Sequence, residues 1–136
     1  MESTQASGRL VVPLVYVAGP FAGPTNYDVQ QNVHRAERTG LTIAHHGALP
    51  VIPHTMNRNY FGQLTEEFWL AGVMTLQARC DAAVFLSGWE RSKGASAEFA
   101  FAQQLQQPVF RADDDGWTEI FAAWVLAWKQ RAAVLA

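Results

Sequence analysis

Apolar positions along this chain alternate between two periods. Residues 10–19, LVVPLVYVAG, are β-branched and almost continuously apolar, which predicts a strand buried on both faces and closed by Gly19-Pro20. After the turn-rich GPFAGPTN, apolar residues recur at Val29, Val33, Ala36 and Ile43. That spacing, with Thr25 or Asn26 as N-cap and Gly47 as stop, predicts a helix from about Tyr27 to His46. ALPVIPH, residues 48–54, predicts a short second strand whose two prolines point to an edge position. NRNYFGQLTEEFW reads as irregular until Thr65, with Glu66 and Glu67, opens a helix whose buried stripe is Trp69, Val73, Leu76 and Cys80. Asp81 to Leu86 predicts a third buried strand. Gly94 to Gln107 predicts a helix with Ala95, Phe99, Ala102 and Leu105 inward, and Pro108 to Arg111 a fourth strand. After the turn ADDDG, a last helix runs from Trp117 to about Val134 and carries an excess of aromatic area, which serves either core packing or a subunit interface.

Strands alternating with helices imply right-handed βαβ units, and so an α/β fold with a four- to five-stranded parallel sheet covered on both faces. In such sheets ligands bind at the carboxyl ends of the strands. GPFAGPTN, PHTMNRNYFG and SGWERSKGA follow the first three strands, so the three unusual loops share that edge.

The 136 residues, 49% of them hydrophobic, suit one domain over residues 9–136 behind a polar tail, residues 1–8. Net charge is −2, from ten basic and twelve acidic residues that are scattered along the chain. No basic face for a polynucleotide follows from that distribution. The single cysteine, Cys80, excludes an internal disulfide and a Cys-based zinc site. The N-terminal residues lack a signal-peptide layout and no apolar run is long enough to span a bilayer. A cytoplasmic protein with no membrane partner is expected.

Two loops carry candidate chemistry. In AGPFAGPTNYD, Gly19 and Gly23 lead into a helix, and Pro20, Phe21 and Asn26 lie beside them. In SKGASAE, Ser92, Lys93 and Gly94 do the same ahead of Glu98. Each turn brings backbone N–H groups and a helix N-terminus towards an anion. Glu98, four residues past Gly94, is either a solvated acid in the first helical turn that complements the dipole or the chemical group of the site. His54 opens the loop after the second strand on the same edge. The histidines have no metal-ligand spacing, and a Ser92–His54–Asp81 triad lacks a nucleophile elbow, so no metal and no serine chemistry is expected. Trp89 and Tyr60 are candidates to stack on a base, with Asn57 near them; Trp89 in a strand-end loop also leaves a flavin open.

VYVAGPFAG, PVIPHT, EEFW, RCDAAVFLSGWERSKGASAEFAFA and QPVF together resemble the nucleoside 2-deoxyribosyltransferase superfamily, in particular its small bacterial and phage branch related to the deoxynucleoside 5′-monophosphate N-glycosidases. The resemblance implies a flavodoxin-like (Rossmann-like) three-layer sandwich, no cofactor, and cleavage or transfer of an N-glycosidic bond on a nucleoside or nucleotide. By resemblance Glu98 is the nucleophile that attacks C1′ of the sugar, Tyr16 lies beside it, and Ser92 and Gly94 line the 5′ end of the substrate. His54, Asn57 or an acid from Glu66 and Glu67 would handle the base. Members of the superfamily are often homodimers or larger assemblies. An acid that the superfamily carries eight residues before Asp81 is Val73 here, which leaves a nucleotide-binding protein without turnover as the alternative.

Overall fold

The computed structural model describes residues 10–60 and 62–135; the expected polar tail of residues 1–8 lies outside them. The strands are β1 (Leu14–Ala18), β2 (Leu49–Val51), β3 (Ala82–Phe85) and β4 (Val109–Arg111). The helices are α1 (Asn26–His45), α2 (Pro53–Asn57), α3 (Glu66–Ala78), α4 (Lys93–Gln104) and α5 (Trp117–Leu135), with 3-10 turns at Arg58–Tyr60 and Trp89–Arg91. All strands pair in parallel in the order β2-β1-β3-β4, with Tyr16 opposite Ala83 and Ala18 opposite Phe85. This is an α/β protein with a four-stranded parallel sheet, consistent with a flavodoxin-like three-layer sandwich.

Period-two alternation divides the strand residues between two cores. Val15, Val17, Ala82, Val84 and Leu86 face one side, where Ala36 and Ile43 of α1 and Phe121 and Val125 of α5 close over them. Tyr16, Ala18, Ala83 and Phe85 face the other, against Val73 and Leu76 of α3, Cys80, Trp89 and Phe99 of α4. Three aromatic residues of α5 serve the first core: Phe121 is fully buried, and Trp117 and Trp124 pack around it with Phe110 of β4. Among the described residues no helix is long and apolar enough to cross a membrane.

Two expectations are corrected. Strand β2 ends at Val51, and Pro53 begins α2 rather than continuing the strand. Proline's fixed φ suits a first helical turn, where its missing N–H has no partner to lose. The edge position of β2 stands. The stripe of α3 is shallower than expected: Trp69, Val73, Leu76 and Cys80 are half-buried, and its only fully buried residue is Gln77.

Candidate active site

Tyr16 stands in the middle of β1, fully buried, on the face covered by α3 and α4. Glu98 approaches it from α4. That helix is capped by Ser92, whose hydroxyl accepts from the Ala95 N–H at 3.2 Å, and its buried residues are Ala95, Glu98 and Ala102. These recur at the spacing of one helix face, so the carboxyl occupies a position of the apolar stripe. The solvated first-turn acid is thereby excluded: α4 begins at Lys93, its first turn holds no acid, and Glu98 is 7% exposed.

The Tyr16 hydroxyl donates to Glu98 Oε2 across 82 residues of sequence. Burial pushes the Glu98 carboxyl from its ordinary 4.5 up to about 7, and the bond from Tyr16 pulls the other way. The Tyr16 phenol is held far above its usual range, first by burial and then by the Glu98 charge and hydrogen bond, so it stays protonated and remains a donor. The described side-chain atoms that are both sealed from solvent and unpartnered are His54 Nδ1, Gln77 Oε1 and Trp89 Nε1. Glu98 as a whole retains 7% of its exposure. A carboxyl with a midpoint near neutrality and one oxygen held by a phenol can act as nucleophile or as acid–base group.

His54 is placed differently from expectation. It lies inside α2, 4% exposed, with Nε2 donating to Gly19 O at 3.2 Å and Pro20 O at 3.0 Å. Burial lowers its pKa, favouring the neutral ring. Asn32 of α1 donates to the next two carbonyls, Phe21 O at 3.0 Å and Ala22 O at 3.4 Å. Two side chains thus anchor four successive carbonyls of the loop after β1, and His54 serves as a loop anchor with the Phe21 ring edge-on at 5.8 Å. Gly19 and Gly23 answer to packing here: a Cβ on Gly19 would stand 2.7 Å from Leu86 Cδ1, and one on Gly23 would stand 2.6 Å from the Asp28 Cβ. Asp28 completes the capping box with Thr25, the N-cap of α1; Asn26 is the exposed first helical residue.

The remaining candidates are dispersed. Trp89 stacks on Phe99 with centroids 4.3 Å apart and meets Phe85 edge-on, while the Arg111 guanidinium lies 6.0 Å from its ring. It therefore caps the core. Tyr60 stacks on Trp69 at 5.9 Å. Asn57 closes α2, half-buried, and Gly94 opens outward with nothing near its α-carbon face. Ser92 caps α4, and Asp81 Oδ2 accepts from the Leu14 N–H at 2.8 Å at the start of the strands. Ser92, His54 and Asp81 each serve the backbone in a different place and form no triad. Among the described residues no three His, Cys, Asp and Glu side chains converge on a metal position.

Val73 packs against the Tyr16 and Phe85 cluster, whereas Glu66 and Glu67 are exposed in the first turn of α3. Gln77 is the residue that pattern reading missed: its Nε2 donates to the Glu98 main-chain oxygen at 2.9 Å. A cavity of about 440 Å³ at the β4 edge is lined by neither Tyr16 nor Glu98 but by Phe99, Gln103, Gln107, Arg111, Asp114 and Trp117 among others.

The fold and the Tyr16–Glu98 pair define a small parallel α/β protein in which, among the described residues, one buried carboxyl, on α4, meets the central strand β1 with a midpoint near neutrality. The chain belongs to the family described as a domain of unknown function, DUF4406, which matches residues 13–111 and so spans β1 to β4. No curated protein matches it.

Proposed function

We propose that the protein cleaves or transfers the N-glycosidic bond of a nucleoside or nucleoside 5′-monophosphate through a covalent glycosyl-Glu98 intermediate. The observation that carries this reading is the buried Tyr16–Glu98 pair, with one carboxyl oxygen held by the phenol. An oxocarbenium-like transition state calls for a nearby anion, and an ester to C1′ divides one hard displacement into two easier ones. Glu98 Oε1 forms the bond to C1′ as the C1′–N bond breaks; the electron pair leaves with the base, which takes its proton from solvent. Water, or a second base in transfer, then adds to C1′ as the ester bond to Glu98 breaks; the carboxylate is released and the proton of the incoming group passes to solvent. Tyr16 supports this sequence by holding Oε2 and lowering the basicity that burial raises. Ser92 and the α4 N-terminus, with the anchored loop at Gly19, Pro20, Phe21 and Gly23, offer the polar groups for the 5′ end.

Val73 favours a second reading, a nucleotide-binding protein without turnover, because that position gives packing instead of a proton. The same overall proposal places the protein in the cytoplasm as a homodimer or larger assembly. Self-association is supported by the exposed Met56, Tyr60, Leu64 and Phe68 along the segment from α2 into α3.

Base release decides between the readings. Wild type and Glu98→Ala are incubated with the common nucleosides and their 5′-monophosphates, with and without a free acceptor base, and the products are separated by chromatography. Release by wild type and none by the variant is the expected result. No release, with nucleotides still raising the melting temperature, would replace the enzyme with the binding protein.

A further inference from the structure

Gln77 is fully buried on a helix whose other residues are half-buried or exposed. A buried amide carries a desolvation cost that a packed leucine or methionine does not, so its bonds are informative. Its Nε2 donates to the Glu98 main-chain oxygen at 2.9 Å and to Gln107 Oε1 at 3.2 Å. Gln107 Nε2 returns two bonds, to Gln77 O and Cys80 O, both at 3.0 Å. The end of α3, the centre of α4 and the chain leading into β4 are thereby joined through one amide pair.

We infer that Gln77 is a positioning residue for Glu98: by gripping the backbone of that residue it sets where α4 stands against α3, and so where the carboxyl meets the Tyr16 hydroxyl. The inference rests on the proposed role of Glu98 only for its kinetic consequence; the geometric claim stands on the hydrogen bonds alone. Helix α3 holds both members of the pair, since Val73 and Leu76 pack around the Tyr16 cluster while Gln77 binds α4. In mid-helix the Glu98 carbonyl also faces the N–H four residues on. Removing the amide therefore leaves α4 helical and loosens its placement alone.

The test compares Gln77→Met, which keeps the volume and loses the donor, with Val125→Ala, a packing change in the core on the opposite face of the sheet. The readout is the ¹³C titration of the Glu98 carboxyl in the full chain. Burial is the leading cause of its raised midpoint, so a loosened, wetter site should lower that midpoint by about one pH unit in Gln77→Met. Val125→Ala should lose stability and leave the midpoint where it is. An unmoved midpoint in Gln77→Met, or equal movement in both variants, overturns the inference whether or not the protein turns over nucleosides. Where wild type releases base, Gln77→Met should slow the step that forms the glycosyl-enzyme about 10- to 100-fold with KM little changed. An unchanged rate there overturns the positioning role. Absence of base release in wild type counts against the proposed function and leaves the titration to decide the role of Gln77.

Discussion

Replacing Glu98 with glutamine removes the charge that burial penalises and keeps both the size of the side chain and its ability to accept from Tyr16. The folded state holds the carboxyl midpoint at about 7, against an ordinary 4.5. Below pH 4.5 the group is protonated in folded and unfolded chains alike and has no pH-linked effect on stability. Between 4.5 and 7 the unfolded chain loses its proton first, so wild-type stability falls as pH rises, and above 7 the full loss is present. At about 1.4 kcal/mol per pH unit, that loss is on the order of 3 kcal/mol. Glu98→Gln has no such slope. Its stability relative to wild type should therefore rise by about 3 kcal/mol between pH 4.5 and pH 8, or about 10 °C in melting temperature for a chain of this length. His54, kept neutral by burial, adds a slope of opposite sign on the acid side, but it is present in both proteins and cancels in the difference. Urea unfolding of the two proteins at half-unit pH steps measures the curve. A difference that stays flat across this range would refute the reasoning, because it would mean that the carboxyl is hydrated in the folded state.

Two further outcomes follow from the same geometry. Tyr16→Phe removes the donor that pulls the Glu98 midpoint down; the midpoint should rise, base release at neutral pH should fall, and stability should drop by about 1–3 kcal/mol, read by carboxyl NMR and urea unfolding. Gly19→Ala places a Cβ 2.7 Å from Leu86 Cδ1 and 2.8 Å from Leu86 Cβ; overpacking at this strand end should cost about 1–3 kcal/mol by chemical denaturation, with part of the loss relieved in combination with Leu86→Ala.

Elements whose reasons are local were legible in the sequence. Thr25 and Thr65 are the N-caps of α1 and α3, and the apolar runs around Tyr16 and Val84 became the two central strands of the sheet. Failures came where the reason lies elsewhere in the chain. A proline after an apolar run serves a strand edge or a helix start equally well, so the pattern alone extends β2 across Pro53 and His54, which belong to α2. The buried Gln77 Nε2 finds its acceptors on Glu98 and Gln107, 21 and 30 residues away, and a 3.6-residue period carries no signal for that. Glu98 as a member of the buried stripe was hidden by its charge, and the bond that explains it spans the domain. Trp89 was legible as an aromatic in a loop at the sheet edge, but its ring face is occupied by Phe99, ten residues later.

The stretch matched by the family stops at Arg111, six residues before α5 begins at Trp117. Yet Phe121 and Val125 of that last helix complete the core that includes Val15, Val17 and Val84. A chain ending at the family boundary would present that strand face to water along the whole strip that α5 occupies. The unit recognised by descent and the unit that can fold by itself are therefore different lengths of this polypeptide, and a minimal autonomous version must carry the C-terminal helix whether or not that helix takes part in the chemistry.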